Sequence, residues 1–463
     1  MSHGGPRPTP IEGVRLLLAI GVLLLLDWTA QRFAWLSPSV DSTQDALPPG
    51  SAETGAAVGL LLIGAWMFGR VVETIGLPRI TGYLLFGIGV GPGALGLVTK
   101  DALGSVSLVN ELAIAVIALI AGGEIRVREL RTMVKPIVFV LLGVCAAVFV
   151  FAGGAGAIAL DMAGAVESPG SGAHVLLAVA VGVVMLTNSP AVIVALTQEL
   201  GTQTAMSRLA LAVTVCKDIV VIMLFAVVIA IGAGGASDDG SLTRTLAGGL
   251  GGSILAGGVF GLALAWYMHS VRAHLLIVLP VASLGIALIC EALHLETLLV
   301  GLIAGMLMQN VWDHHGEAFF ESLEDLSTPV YCVFFAVAGA KLELSIIGSV
   351  GLAALVLVAG RLAGAYLGVT LGAKLAGVAR GTRAWLWTAF APQAGIALAL
   401  ALIAAEALGE GTRGELVFSL LLATIAMNEL IGPPLLSFGL KRSDSGTMGA
   451  NAAPDEPPAR ETD

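Results

Sequence analysis

Apolar runs long enough to cross a lipid bilayer follow one another along almost the whole chain, parted by short polar connectors. A hydrocarbon layer about 30 Å thick takes roughly 20 residues of helix, and only helices or closed barrels keep every backbone polar group bonded inside it. Cutting the sequence at its connectors yields about fourteen runs: 14–33, 55–75, 80–98, 107–123, 136–160, 174–197, 208–232, 245–268, 274–291, 297–311, 328–342, 346–372, 384–405 and 415–437. With 57% hydrophobic residues, 12% charged residues and a mean hydropathy of +0.93, a soluble globular chain is excluded. The expected fold class is an all-α polytopic membrane protein, in which 60 glycines let helix backbones approach closely.

Loop charges orient the spans, because Lys and Arg collect on the cytoplasmic side. With the N-terminus inside, the inner loops hold Arg70 and Arg79, then Arg126, Arg128, Arg131 and Lys135, then Arg208, Arg272, Lys374, Arg380 and Arg383, and finally Lys441 and Arg442. The outer loops hold Asp41, Asp45, Glu53, Asp161, Glu167, Asp238, Asp239, Glu406, Glu410 and Glu415. Both termini are expected in the cytoplasm, in a cell or inner membrane. The first run carries Arg15 at its start, but Asp27, Trp28, Gln31 and Arg32 follow it where a signal peptide would have small residues, so it reads as a retained helix.

The net charge of -10 does not point to nucleic acid, and no cofactor is expected. Cys145, Cys216, Cys290 and Cys332 fall singly in apolar segments and read as packing. His174, His269, His274 and His294 stand at span ends with no nucleophile beside them, which argues against an enzyme. Trp312 to Leu326, with His314 and His315, reads as a solvated amphipathic turn, a metal cluster being the competing reading. Residues 1–54 are expected to form an extra helix and an outer loop. Residues 55–440 form the membrane domain, and the Pro-, Ala- and acid-rich 441–463 a disordered tail.

Against this apolar background a few polar residues stand out. Asp218, with Lys217 beside it, lies inside the run Leu209 to Ile231, where a charge costs several kcal/mol unless paired, hydrated or neutralised. It is a candidate ion or proton site. Leu186-Thr187-Asn188-Ser189-Pro190 interrupts the sixth run, and Ala391-Pro392-Gln393-Ala394-Gly395 interrupts the thirteenth. Proline cannot donate a backbone N–H, so both helices should unwind there. Non-helical backbone at this depth must be buried in protein or line a wet cavity. Grouping spans three to seven and ten to fourteen puts each break in the fourth helix of five. The fifth helices carry Asp218 and Asn428-Glu429, and the two groups would run in opposite directions through the membrane. Arg361 lies near the middle of the twelfth run and must find an acid or the exposed carbonyls of the broken helices.

These residues resemble the monovalent cation/proton antiporter superfamily, the sodium/proton exchangers and their relatives. The likeness runs from about Leu77 to Leu440, through Leu77-Pro78-Arg79-Ile80-Thr81-Gly82-Tyr83, Gly89-Val90-Gly91-Pro92, Asn188-Ser189-Pro190, Gln198-Glu199-Leu200-Gly201, Asp218, Phe334-Phe335-Ala336, Pro392-Gln393-Ala394-Gly395 and Asn428-Glu429-Leu430. The resemblance implies two inverted five-helix repeats with crossed, unwound helices and a homodimer. It also implies a core bundle (about 107–232 and 346–440) moving against dimerisation helices (about 14–98 and 245–311). The chain departs from the family at Lys217-Asp218, where many members have Asn-Asp or Asp-Asp, and at Asn188-Ser189-Pro190, where many have Thr-Asp-Pro. One acid is missing at each place.

The expected chemistry is competition for one carboxylate. Asp218 takes a proton or a dehydrated monovalent cation, Na⁺ before K⁺ or Li⁺, with Thr187, Asn188 and Ser189 supplying oxygens. Arg361 and Lys217 compensate charge at the crossover. Pro190, Pro392, Gln393 and Gly395 form the breaks, and Asn428 and Glu429 are secondary. One acid predicts electrically silent exchange. A sodium-coupled organic anion carrier of related fold and a transport-inactive sensor remain as alternatives.

Overall fold

The computed structural model describes residues 51–448 apart from 124–125, 167, 202–203, 233–240, 271–274, 294, 312–315, 343, 394–395 and 409–411. The expected first span at 14–33, His274, His294, His314, His315, Gly395 and the tail beyond Met448 lie outside the described residues. Among the described residues every regular element is helical. In chain order these are α1 (Ser51–Thr74), α2 (Arg79–Val90), α3 (Lys100–Ser105), α4 (Ser107–Gly123), α5 (Val127–Thr132), α6 (Val134–Met162), α7 (Gly172–Val184), α8 (Pro190–Glu199) and α9 (Ala205–Gly232). There follow α10 (Ser241–Ser270), α11 (Leu275–Leu293), α12 (Thr297–Val311), α13 (Gly316–Ala340), α14 (Leu344–Ala376), α15 (Arg380–Trp385), a 3₁₀ turn (Leu386–Phe390), α16 (Ile396–Leu408) and α17 (Thr412–Met448).

Five of the described helical segments are long and apolar enough to cross a membrane unaided: Gly55–Thr74, Val134–Met162, Ala205–Ile229, Gly348–Ala376 and Arg413–Ser443. Only 22% of the central window of α6 is buried against protein, and its outward face is Val138, Leu142, Val150 and Ile158. Such a face fits lipid and not water. The protein is an integral membrane protein.

The helices sort into two packed groups, and small residues draw the lines between them. In the first group α14 lies along α6, and Gly360, Gly364, Gly368 and Gly372, four residues apart, form its contact stripe. A Cβ on Gly368 would fall 2.2 Å from the Gly143 carbonyl oxygen, and one on Gly372 would fall 2.3 Å from that of Phe139. These backbones touch, as membrane helices do when a small residue recurs every turn. Helices α7, α9 and α17 gather on this pair, α16 packs on α17 and α7, and α8 packs on α9 and α17 while also touching α4.

The second group holds α1, α2, α4, α10, α11, α12 and α13. Two of its junctions match: α2 packs on α13 and α4 packs on α12. A Cβ on Gly339 would meet Leu84 O at 2.1 Å, and one on Gly305 would meet Leu119 O at 2.1 Å. The first helix of each five-helix series therefore rests on the second helix of the other series. The segment 107–123, which the resemblance groups with the core bundle, packs as α4 against α12, α13 and α11, where its Gly122 admits the α12 backbone at Leu302.

Two connectors also differ from expectation. The segment read as a turn up to Leu326 is helical from Gly316 onward, continuous with α13. Helix α17 runs to Met448, past the start of the expected disordered tail at Lys441, where Arg442 stacks its guanidinium 4.6 Å from the Phe438 ring and 5.4 Å from the Trp385 ring. The stripe on α14 sets a stability expectation. Gly368→Leu should lower stability by about 3 kcal/mol, through overpacking against backbone that cannot retreat. Gly258→Ala, with nothing within 4 Å, should leave it unchanged. Thermal unfolding of the purified protein in detergent reads both.

Candidate ion-binding site

Helix α7 stops at Val184, and the chain runs irregularly from Leu186 to Ser189 before α8 begins. Its restart has local causes. Pro190 takes the first helical position, where its missing N–H is no loss, and Ser189 caps the helix with Oγ accepting from the Val192 N–H at 3.3 Å. The other broken span goes from α15 through the 3₁₀ turn to Phe390, passes Ala391 to Gln393 without helical structure, and resumes as α16 at Ile396. Gly432 of α17 leaves room for the second break, since a Cβ there would fall 2.5 Å from the Pro392 Cα.

The two breaks cross and bond to each other. The Ser189 N–H donates to Pro392 O at 3.3 Å, and Asn188 Nδ2 donates to Ala389 O at 3.4 Å. Gln393 Nε2 donates to Val184 O at 3.2 Å and to Thr187 Oγ1 at 2.7 Å, while Thr187 Oγ1 itself donates to Val184 O at 2.7 Å. Arg361, 1% exposed, finds carbonyls instead of an acid. Its Nε donates to Met185 O at 2.9 Å, its Nη1 to Ala391 O at 2.7 Å and its Nη2 to Thr187 O at 2.9 Å. One planar guanidinium thereby ties the carbonyl end of α7 to the opposite break, where the partial negative charge of a helix C-terminus favours a cation.

Lys217 and Asp218 part company at this point. Successive helical residues point about 100° apart. The fully buried Lys217 turns into the crossover, donating from Nζ to Leu186 O and to Asn188 Oδ1, with the Phe390 ring 5.6 Å away. Asp218 turns away from it and lines a cavity with Val215, Ile219, Ile222, Leu302 and Glu296. Its Oδ1 is buried and has no hydrogen-bond partner. Among the described residues no ion pair joins Asp218 to Lys217 or Arg361.

The other fifth helix repeats the arrangement. Asn428 donates from Nδ2 to Gln393 Oε1 at 2.9 Å, inside the crossover, and its neighbour Glu429 lines a second cavity. That cavity is bounded by Asn188, Ser189, Pro190, Phe334, Lys341 and Glu429. The two cavities share Glu296, Leu298 and Ile396. In each half, then, an amide oxygen of the break (Asn188 or Gln393) accepts from one residue of a fifth-helix pair, while the next residue, an acid, faces open space.

Of the expected site residues, Asn188, Ser189 and Pro190 border the larger cavity, and Asp218 and Glu429 face open space. Thr187, Gln393, Lys217, Arg361 and Asn428 have their polar atoms engaged within the crossover. Glu296 and Lys341 were missed. An acid just before a short apolar run was the available signal for Glu296, but only packing brings it beside α9.

Residues 58–441 match the family described as "Sodium/hydrogen exchanger, transmembrane". The chain belongs to that family. It is a family of transporters, and membership carries cation/proton exchange as the activity class. No curated protein matches the sequence. Among solved structures, the sodium proton antiporter MjNhaP1 from Methanocaldococcus jannaschii is similar at a TM-score of 0.62 and 17% identity, over 86% of this chain and 98% of that one. At that identity the likeness speaks for the fold alone, and it agrees with the all-helical architecture described above.

In this exchanger-family chain, Arg361 is the test of the crossover. Arg361→Ala leaves three buried carbonyls short of a donor, at roughly 1–3 kcal/mol each, and should unfold the protein at markedly lower temperature. Arg361→Lys, with its donors on one point instead of a fork, should fall between alanine and the native residue.

Proposed function

We infer that this protein exchanges a monovalent cation, Na⁺ foremost, for H⁺ at Asp218 by alternating access, one for one and without net charge movement. The observation that carries the reading is the state of Asp218. A buried carboxylate oxygen lacks any donor, beside a crossover whose other polar groups satisfy one another. An acceptor in that position gains by taking either a proton or a cation. It cannot take both, so loading by one requires loss of the other. Ser189 and Asn188 border the adjoining cavity and can add neutral oxygens, while Thr187 contributes by shaping the break. Arg361 and Lys217 donate to crossover acceptors and line neither cavity. They are therefore poorly placed to hold an organic anion.

Two inverted five-helix repeats are supported by the matched junctions of α2 with α13 and α4 with α12, and by the paired Lys217-Asp218 and Asn428-Glu429 arrangements. A homodimer built through the second helix group follows from the same reading. Alternating access draws support from the asymmetry between the two faces. The larger cavity, at the Pro190 end of α8, is lined by Glu296 and Lys341. At the opposite end of α8, about 15 Å away at 1.5 Å per residue, the chain is fastened to the second group. Glu199 accepts from the backbone N–H of Arg79 at 2.6 Å and of Ile80 at 3.4 Å, and Tyr331 donates to Gln198 Oε1 at 2.7 Å. A carboxylate on the first N–H groups of α2 also meets the positive end of that helix. These bonds must break for the opposite face to open.

Two measurements follow. In proteoliposomes under an imposed pH gradient, Na⁺ should dequench an internal pH dye, with K⁺ and Li⁺ ranked alongside, and a voltage clamp should leave the rate unchanged. Asp218→Asn should abolish the response, and full activity in that variant would end the mechanism. Glu199→Ala combined with Tyr331→Phe should unfasten α8. A cysteine placed at Thr197 should then react faster with a membrane-impermeant thiol reagent added on the Glu199 face.

A further inference from the structure

Glu296 is common to both cavities, and the exchange reading makes no use of it. It immediately precedes α12 in the second helix group, whereas Asp218 stands on α9 in the first. Both nevertheless line the smaller cavity. The backbone of Glu296 is held in place. Its N–H donates to Ser253 Oγ at 2.9 Å, and the next residue, Thr297, donates from Oγ1 to Glu111 Oε2 at 2.7 Å. Its side chain is exposed to the cleft.

A dehydrated monovalent cation wants several oxygens, and those around Asp218 are partly committed. Asn188 Oδ1 accepts from Lys217, and Ser189 Oγ caps α8. Asp218 Oδ1, buried and unpartnered, points to a missing ligand on this side of the crossover. The carboxylate able to share that ligand is the one across the cavity.

We propose that Glu296 is a second carboxylate of the cation site, presented from the opposing helix group and available only while the cavity is open to the Glu296 face. Because Glu296 does not travel with α9, a cation is captured by two carboxylates on this face and released from one on the other. The two faces then differ in cation affinity. The inference rests on the exchange reading at Asp218, and its consequence is sidedness: a negative charge at the mouth concentrates the cation and sharpens binding from one direction only.

The test is Glu296→Gln, which keeps shape and hydrogen-bonding capacity while removing charge, in vesicles of known orientation. With Na⁺ supplied at the Glu296 face, KM should rise about tenfold, equivalent to about 1.4 kcal/mol, while the KM measured from the opposite face stays at the native value. A KM unchanged on both faces, or raised equally on both, overturns the proposal. A second readout uses the purified protein in detergent, where the rise in Tm produced by NaCl should be smaller in Glu296→Gln than in the native chain, and an undiminished rise counts against the proposal. The two readings fail separately. Exchange surviving in Asp218→Asn removes the Asp218 mechanism, whereas a silent Asp218→Asn with a native-like Glu296→Gln removes only the role of Glu296.

Discussion

Two helices that stop in mid-bilayer leave carbonyl groups where no water competes for them, and the crossover depends on how Arg361 meets that need. A guanidinium is planar, carries five N–H donors and does not give up its proton, so it can reach carbonyls on both breaks at once. Here it bonds Met185, Thr187 and Ala391. The glycine stripe that begins at Gly360 presses α14 onto α6 and holds Arg361 at the required depth. Packing of small residues and satisfaction of polar backbone are thus one arrangement, with α14 as its common element.

Adjacent residues on a helix cannot face the same way, and both fifth helices exploit this. Lys217 and Asn428 close the crossover, while Asp218 and Glu429 look outward into open space. The division separates the structural charge from the reactive one. Lys217 has acceptors in Leu186 and Asn188, so the buried Oδ1 of Asp218 is left without a donor although a cation stands next to it in sequence. A carboxylate in that condition is suited to passing between proton and metal ion.

Much of this was legible in the chain. The breaks at Thr187–Pro190 and at Pro392–Gln393 showed as polar and proline residues inside apolar runs, and they fall where the helices stop. Arg361 was expected at an acid or at exposed carbonyls, and geometry chose the carbonyls. Other features were hidden. The grouping of α4 with α12 turns on glycines whose importance depends on what lies opposite them, since Gly122 and Gly305 look like any of the 60 until the partner backbone is seen. Glu296 carries no such signal in the chain, because its neighbours at the cavities, Asp218 and Asn188, are far from it in sequence.

The sequence by itself determined that this chain lives in a membrane, how its apolar stretches are divided, where two of its helices fail and which rare charges lie deep. Hydropathy, proline chemistry and the cost of a buried charge are local properties, readable residue by residue. The tertiary structure decided which way each of those side chains faces. A turn of about 100° about a helix axis separates Lys217 from Asp218, and only the packing of neighbouring helices says which direction meets a carbonyl and which meets a cavity.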